Sequence, residues 1–256
     1  MDRLSLLAVF AHPDDESFAF GGSLAKYAAE GVRTGLVTAT AGQAGRSPGA
    51  YPIAPEELGL IRVEELRCAC RVLGVGSLHL LGYKDNHLSE ADPEVVEHAI
   101  VNVIRAVRPL VVVTFGPDGS GSGHPDYRAI SQLATAAFFA AGDEAKYPGQ
   151  PDAGLAPFRG RKLYYLTSPV DTASQPQGAS FSPVTTVIDV ADHVDAKLAA
   201  FRCHRTQMGD YPRLMERLAQ YGPREFFFLA ATQDLPSIRQ DVLGPPYEDD
   251  LFAGLR

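Results

Sequence analysis

Between positions 12 and 16 the chain sets one imidazole and three carboxyls almost in succession: His12, Asp14, Asp15 and Glu16, with Pro13 after the histidine. His12 and Asp15 are three residues apart, and a turn entering a helix brings such positions to one side, where imidazole and carboxylate can converge on one cation. Asp14, between them, is a second carboxylate with no apolar reason to be there. Acids this crowded repel one another unless a cation neutralises them. The plainer reading is that Asp14, Asp15 and Glu16 cap the next helix, since acids favour helix N-termini.

A second polar cluster runs from Gly116 to Tyr127, Gly-Pro-Asp-Gly-Ser-Gly-Ser-Gly-His-Pro-Asp-Tyr. Its glycines suit close approach of a substrate. It is no phosphate-cradling loop, because no Lys-Ser/Thr follows and no G-x-G-x-x-G begins it. His124, Asp126 and Tyr127 then enter a helix. A lone loop histidine is usually a surface residue; one that faces another His/Asp cluster across neighbouring strand ends is more often functional. Arg62 adds a third clue, since it shares a helical stripe with Leu58, Leu66, Ala69 and Leu73. A buried arginine needs a carboxylate or a ligand. Glu65 is the local candidate; a substrate hydroxyl or Asp85 is the sharper one.

The elements that must position these residues alternate between two periods. Residues 4–11, 33–40, 77–81 and 110–115 read as strands, and 17–30, 56–73 and 93–107 as helices, with a further loop and helix after 115. Gly31 and Gly74 close the first two helices, and Pro93 suits the first turn of the third. Strand, loop, helix, repeated, predicts an α/β, Rossmann-like, mostly parallel sheet flanked by helices. Ligands of such sheets sit at the C-terminal strand ends, where both polar clusters fall. Strands are expected again at 161–167, 183–190 and 225–232, a helix at 192–206, long loops at 41–55 and 141–160, and a surface arm over 234–256 of a single domain spanning 1–256.

The totals narrow the partners. The formal charge is −8, from 23 Lys+Arg against 31 Asp+Glu, with no basic block, which argues against nucleic acid. No run approaches the roughly 18 apolar residues of a membrane span. Cys68, Cys70 and Cys203 are odd in number and form no C-x-x-C pair, so reduced thiols in the cytoplasm are the simplest expectation. A small neutral or weakly charged substrate fits, and a homo-oligomer is left open.

Together these segments resemble the PIG-L/LmbE-like N-acetylglucosaminyl deacetylase family, whose hallmark A-H-P-D-D-E is matched letter for letter by Ala11 to Glu16. The likeness extends to R-x-x-E-L at Arg62–Leu66, L-G-Y-x-D around Asp85, the H-P-D-H loop at His124–Tyr127, and a K-x-x-A…H-x-x-Q pattern at Lys197, Ala200, His204 and Gln207. The resemblance implies zinc-dependent removal of the acetyl group of an amino sugar or sugar conjugate. By it, His12 and Asp15 bind Zn²⁺ or another divalent metal, and Asp14 is the general base. His124 stabilises the oxyanion or acts as acid, Asp126 orients it, and Arg62 and Asp85 contact the sugar. The family's third metal ligand is the final histidine of H-P-D-H; here it is Tyr127. Three outcomes follow: Tyr127 ligates as phenolate, His124 replaces it as ligand, or the metal site is impaired and the protein binds a carbohydrate or other small molecule without hydrolysis.

Overall fold

A computed structural model describes residues 4–46, 53–150, 154–169, 182–233 and 247–256. Seven strands form one sheet in the order β3-β2-β1-β4-β5-β7-β6. They are β1 Ser5–Phe10, β2 Arg33–Thr40, β3 Ser77–Tyr83, β4 Val111–Phe115, β5 Lys162–Leu166, β6 Thr186–Asp189 and β7 Arg224–Thr232. The first five pair in parallel, and β7 runs antiparallel to both β5 and β6. The mostly parallel α/β fold expected from the alternation is therefore the one observed.

Every residue of β1 and of β4 is buried, as strands covered by helices on both faces must be. The helices are α1 Asp15–Ala29, α2 Pro55–Leu73, α3 Pro93–Val107, α4 Pro125–Ala140, α5 Val194–Cys203 and α6 Tyr211–Tyr221. Gly74 caps α2 at φ 70°, the left-handed conformation in which glycine carries no Cβ penalty. Pro93 and Pro125 stand at the starts of α3 and α4, where a missing N–H costs nothing. Because β1 and β4 are neighbours, the loops leaving their C-terminal ends, which carry residues 12–16 and 116–127, lie side by side.

Three features differ from the sequence reading. The single helix expected over 192–206 is shorter, with 3-10 turns on either side of α5. Helix α6 was not expected, although Tyr211, Leu214, Met215, Leu218 and Tyr221 recur at helical spacing; Leu214 is its buried residue. Pro212 near its start and Gly222 at its end are the punctuation that could have revealed it. Finally, Cys68 and Cys203 are joined in a disulfide between α2 and α5, across a sequence separation of 135, leaving Cys70 as the free, buried cysteine. Reduced thiols were expected; nothing in the sequence shows that these two helices pack together.

Of the arm at 234–256, residues 247–256 are described, and they are anchored rather than laid over the surface. Leu251 and Phe252 are fully buried, with the Phe252 ring edge-on to Tyr27 at 5.3 Å. Pro236, Pro245 and Pro246 lie outside the described residues, as do 47–52 and 151–153 of the two long loops.

Candidate active site

His12, Asp14 and Asp15 leave the end of β1 as α1 begins. Asp14 sits at the N-cap of α1 with φ 104°, a backbone conformation that residues with a Cβ rarely adopt. Its N–H donates to Glu16 Oε2 at 3.0 Å. Glu16, fully buried, also accepts from the Ser17 hydroxyl and lies 2.7 Å from His204 Nε2. A carboxylate and an imidazole buried together thus hold the strained turn. The sequence reading noted Glu16 and His204 but gave neither this task.

Arg62 completes the setting of Asp14. Its guanidinium donates to the carbonyl oxygens of Pro13 and Gly42 and to Asp14 Oδ2, the last at 3.2 Å. Glu65, the local partner considered for it, instead accepts from the N–H and hydroxyl of Thr206. Gly42 is required at its position, since a Cβ there would stand 2.4 Å from the Arg62 guanidinium. Burial pushes the Asp14 carboxyl up to about 7, against the opposing charge of Arg62 and with the charge of Asp15 adding to the rise.

His12 is ringed by acids. Its Nε2 lies 2.9 Å from Asp85 Oδ1 and 3.1 Å from Asp126 Oδ2, and its Nδ1 is 3.8 Å from Asp15 Oδ2. Burial alone would lower its pKa, but Asp126, Asp85 and Asp15 together raise it to about 10. Asp85 also accepts from Ala44 N–H, and Asp126 from the N–H groups of Asn86 and Leu88. Against burial, these bonds and His12 hold both carboxyls below the ordinary range. Asp85 therefore faces the histidine, where a sugar contact had been expected.

The metal-ligand expectation sorts differently in space. Among the described residues, the group of ligand atoms lying within 4.8 Å of one another belongs to His12, His124 and Asp126. Asp15 accepts from His12 N–H at 2.7 Å through one oxygen and from the Tyr127 hydroxyl at 2.6 Å through the other. Burial, then the charges of Asp15 and Asp14, push the Tyr127 phenol well above its ordinary value. Tyr127 donates its hydroxyl to Asp15 and stacks on Phe115 at 4.0 Å. His124 caps α4, its Nδ1 accepting from Asp126 N–H at 3.2 Å. In that tautomer Nε2 carries the proton. The Asp126 carboxylate turns to His12, so it is the backbone of Asp126, and not its side chain, that orients His124.

Two imidazoles and a carboxylate are the donor set a divalent cation such as zinc takes, and the excess of carboxylates around His12 is the charge such a cation would balance. Beside this set a cavity opens onto Asp14, Asp15 and Tyr127 and is walled by Phe18, Phe115 and Phe201. A raised carboxyl, a cation-shaped donor set and a half-apolar cavity make a site able to activate water against a polarised carbonyl.

Residues 7–138 match the family described as PIG-L, GlcNAc-PI de-N-acetylase. The 1D-myo-inositol 2-acetamido-2-deoxy-alpha-D-glucopyranoside deacetylase of Rhodococcus opacus (strain B4) is 38% identical over 252 residues, covering 81% of this chain and 83% of the relative. Among solved structures, N,N'-diacetylchitobiose deacetylase from Pyrococcus horikoshii superposes with a TM-score of 0.74 at 24% identity, over 88% of this chain and 83% of that one. GalB, the 4-carboxy-2-hydroxymuconate hydratase from Pseudomonas putida KT2440, gives a TM-score of 0.75 at 21% identity, over 92% and 99%. At these identities the two structures speak for the fold alone, and their different reactions mean that the chemistry must be argued from the site.

Proposed function

The chain belongs to the PIG-L family, and from that membership we propose that it hydrolyses the N-acetyl amide of an amino-sugar conjugate. The observation that carries this reading is Asp14: a carboxylate held in a strained turn, raised to about 7, and set between Arg62 and the opening of the cavity. A general base works best with a pKa near the operating pH.

On this reading Asp14 accepts the proton of the attacking water as its oxygen bonds to the amide carbon. Asp14 then returns that proton to the sugar nitrogen as the C–N bond breaks, releasing acetate and a free amine. Arg62 steadies the base in its charged form. A divalent cation would be held by His12, His124 and Asp126, and when bound it supplies Lewis acidity that polarises the carbonyl and acidifies water. Tyr127 remains a neutral hydrogen-bond donor that fixes Asp15.

The alternative, a carbohydrate-binding relative disabled by Tyr127, is not favoured. The phenol is accommodated by Asp15, and a complete three-residue donor set converges without it. The expected cytoplasmic setting rested on reduced cysteines and is weakened by the Cys68–Cys203 bond.

Calorimetric titration of the metal-stripped protein with Zn²⁺ tests the donor set. His12→Ala and Asp126→Ala are expected to lose binding by tenfold or more, on the order of the effect that even outer ligand partners carry. Tyr127→Phe should bind within a few-fold of the parent. Loss of binding in Tyr127→Phe with retention in Asp126→Ala would return the ligand role to the tyrosine.

A further inference from the structure

The disulfide between Cys68 and Cys203 stands where the two supports of Asp14 meet. On α2, Glu65 lies one helical turn before Cys68, and Arg62 one turn before Glu65. Arg62 donates to Asp14 Oδ2 and to the Pro13 carbonyl oxygen, so this arm holds the side chain of the base. On α5, Cys203 is the last residue and His204 the C-cap. His204 Nε2 lies 2.7 Å from Glu16 Oε1, and Glu16 Oε2 accepts from the Asp14 N–H at 3.0 Å, so this arm holds the backbone of the base. One covalent bond therefore joins the side-chain support and the backbone support of the same residue.

Without that bond, the tie left beside it is Glu65, which accepts from the Thr206 N–H at 2.9 Å and from its hydroxyl at 2.6 Å. The disulfide is also within reach of thiols. Both cysteines are half-buried and line an open depression together with the exposed side chains of Glu64, Arg202 and Arg205. Exposed disulfides are the labile and regulatory ones, whereas those that only staple a fold resist reduction. Guanidiniums beside a sulfur favour its thiolate, the form in which it leaves or attacks. The third cysteine, Cys70, is buried in the apolar core, and it does not line this depression.

We propose that the Cys68–Cys203 bond is a redox switch on the base. Oxidised, it clamps Asp14 in its strained turn; reduced, it lets α2 and α5 shift against each other, and turnover falls. The chemistry is exchange with a dithiol or with two small thiols. An incoming thiolate bonds to one cysteine sulfur, the S–S bond breaks, and the other cysteine leaves as a thiolate that takes up a proton. A second thiolate then displaces the first cysteine from the mixed disulfide. The products are two cysteine thiols and the disulfide of the reductant, and the reverse exchange restores the bond. The turnover part of this assignment rests on the deacetylase reading; the coupling of the disulfide to the Asp14 turn does not. Misplacing a reacting group by about 1 Å can cost about 10²-fold in rate, so loosening one clamp is expected to cost about tenfold.

The test uses the zinc-loaded full chain in three states: oxidised, reduced with dithiothreitol and desalted, and reoxidised with the oxidised form of that dithiol. Cys68→Ser/Cys203→Ser and Cys70→Ala are run beside it, with metal content matched and thiols counted. Backbone hydrogen exchange reads the coupling without a substrate. On reduction, residues 12–18 and 204–207 are expected to exchange several-fold faster while β1 and β4 keep their protection. Acetate release from the methyl glycoside of N-acetylglucosamine should fall about tenfold, and reoxidation should restore both readouts. The double variant should match the reduced parent with or without dithiol, and Cys70→Ala should respond as the parent does. Equal acetate release by both forms, or a double variant as fast as the oxidised parent, overturns the switch. Faster exchange spread evenly over the whole sheet also overturns it, because the bond would then be a general staple. If neither form releases acetate while the local exchange difference holds, the deacetylase reading fails and the coupling stands; if acetate is released and reduction changes nothing, the switch alone fails.

Discussion

Asp14 combines a backbone at φ 104° with a carboxyl raised to about 7, and each needs outside support. Glu16 holds the Asp14 N–H, and Arg62 holds its carboxylate. Burial raises the carboxyl and Arg62 opposes the rise, which fixes the sign of a pH effect. A base must be deprotonated, so kcat/KM should fall as pH drops through the Asp14 pKa, at about tenfold per unit well below it. The acid limb lies at or below about 7, because a bound cation also favours the carboxylate. Removing Arg62 removes a charge that lowers this pKa, so Arg62→Gln should carry the limb to higher pH. A limb unmoved in that variant would separate Arg62 from the base. His12, Asp14, His124 and Asp126 were singled out from the motif letters, and the neighbouring ends of β1 and β4 bring them together. Their pairings were not: that Tyr127 serves Asp15 and Asp126 serves His12 depends on which atoms meet across β1 and β4, and spacing along the chain does not encode that.

Between elements, the contact that matters most to the site is Glu16 with His204, which ties the start of α1 to the end of α5. Both side chains are fully buried, and removing one partner of such a pair typically costs about 3–5 kcal/mol, because the other is left charged and unpaired. His204→Phe should lower the unfolding free energy by about that much at pH 6, measured by urea denaturation. The pH dependence has two sides. Glu16 is held below its ordinary 4.5: burial alone would raise it, but His204 more than offsets that, so its share of stability is present above 4.5 and is lost as pH falls through the lowered value. His204 is raised above 6.5 by Glu16 despite burial, so its share is full below 6.5 and is lost as pH rises through the raised value. The parent's advantage over His204→Phe should therefore be greatest between about 4.5 and 6.5 and shrink on either side; a flat difference would mean that the pair is not ionised. Strands and helices with dense apolar periodicity were readable, β2 and α3 to their end residues. Helix α6 carried a readable signal that was passed over: Tyr211, Leu214, Met215, Leu218 and Tyr221 recur at helical spacing in a short segment that follows directly on a 3-10 turn.

For the whole molecule, the sheet carries the site at the ends of β1 and β4, while distant chain segments close around it. The end of the tail buries Leu251 and Phe252, and its Glu248 pairs with Lys162, itself fully buried on β5. The disulfide between α2, which carries Arg62, and α5, whose C-cap is His204, braces the two helices that support Asp14. Thiol counting on unreduced, denatured protein should find one free thiol, Cys70, and three after reduction. Three thiols before reduction would remove the brace. None of this long-range closure was legible in the sequence, because a lone cysteine or a tail phenylalanine does not announce its partner. Among the described residues no helix is long and apolar enough to cross a membrane, which agrees with the absence of a span in the sequence. The most direct test of the whole account is acetate release from an N-acetylglucosaminyl inositol by the zinc-loaded protein, beside Asp14→Asn at equal metal content. The expected result is one acetate per free amine formed by the parent, with kcat reduced about 10²–10⁴-fold in the variant, the usual contribution of a general base. No acetate from the loaded parent, or a variant as fast as the parent, would contradict it.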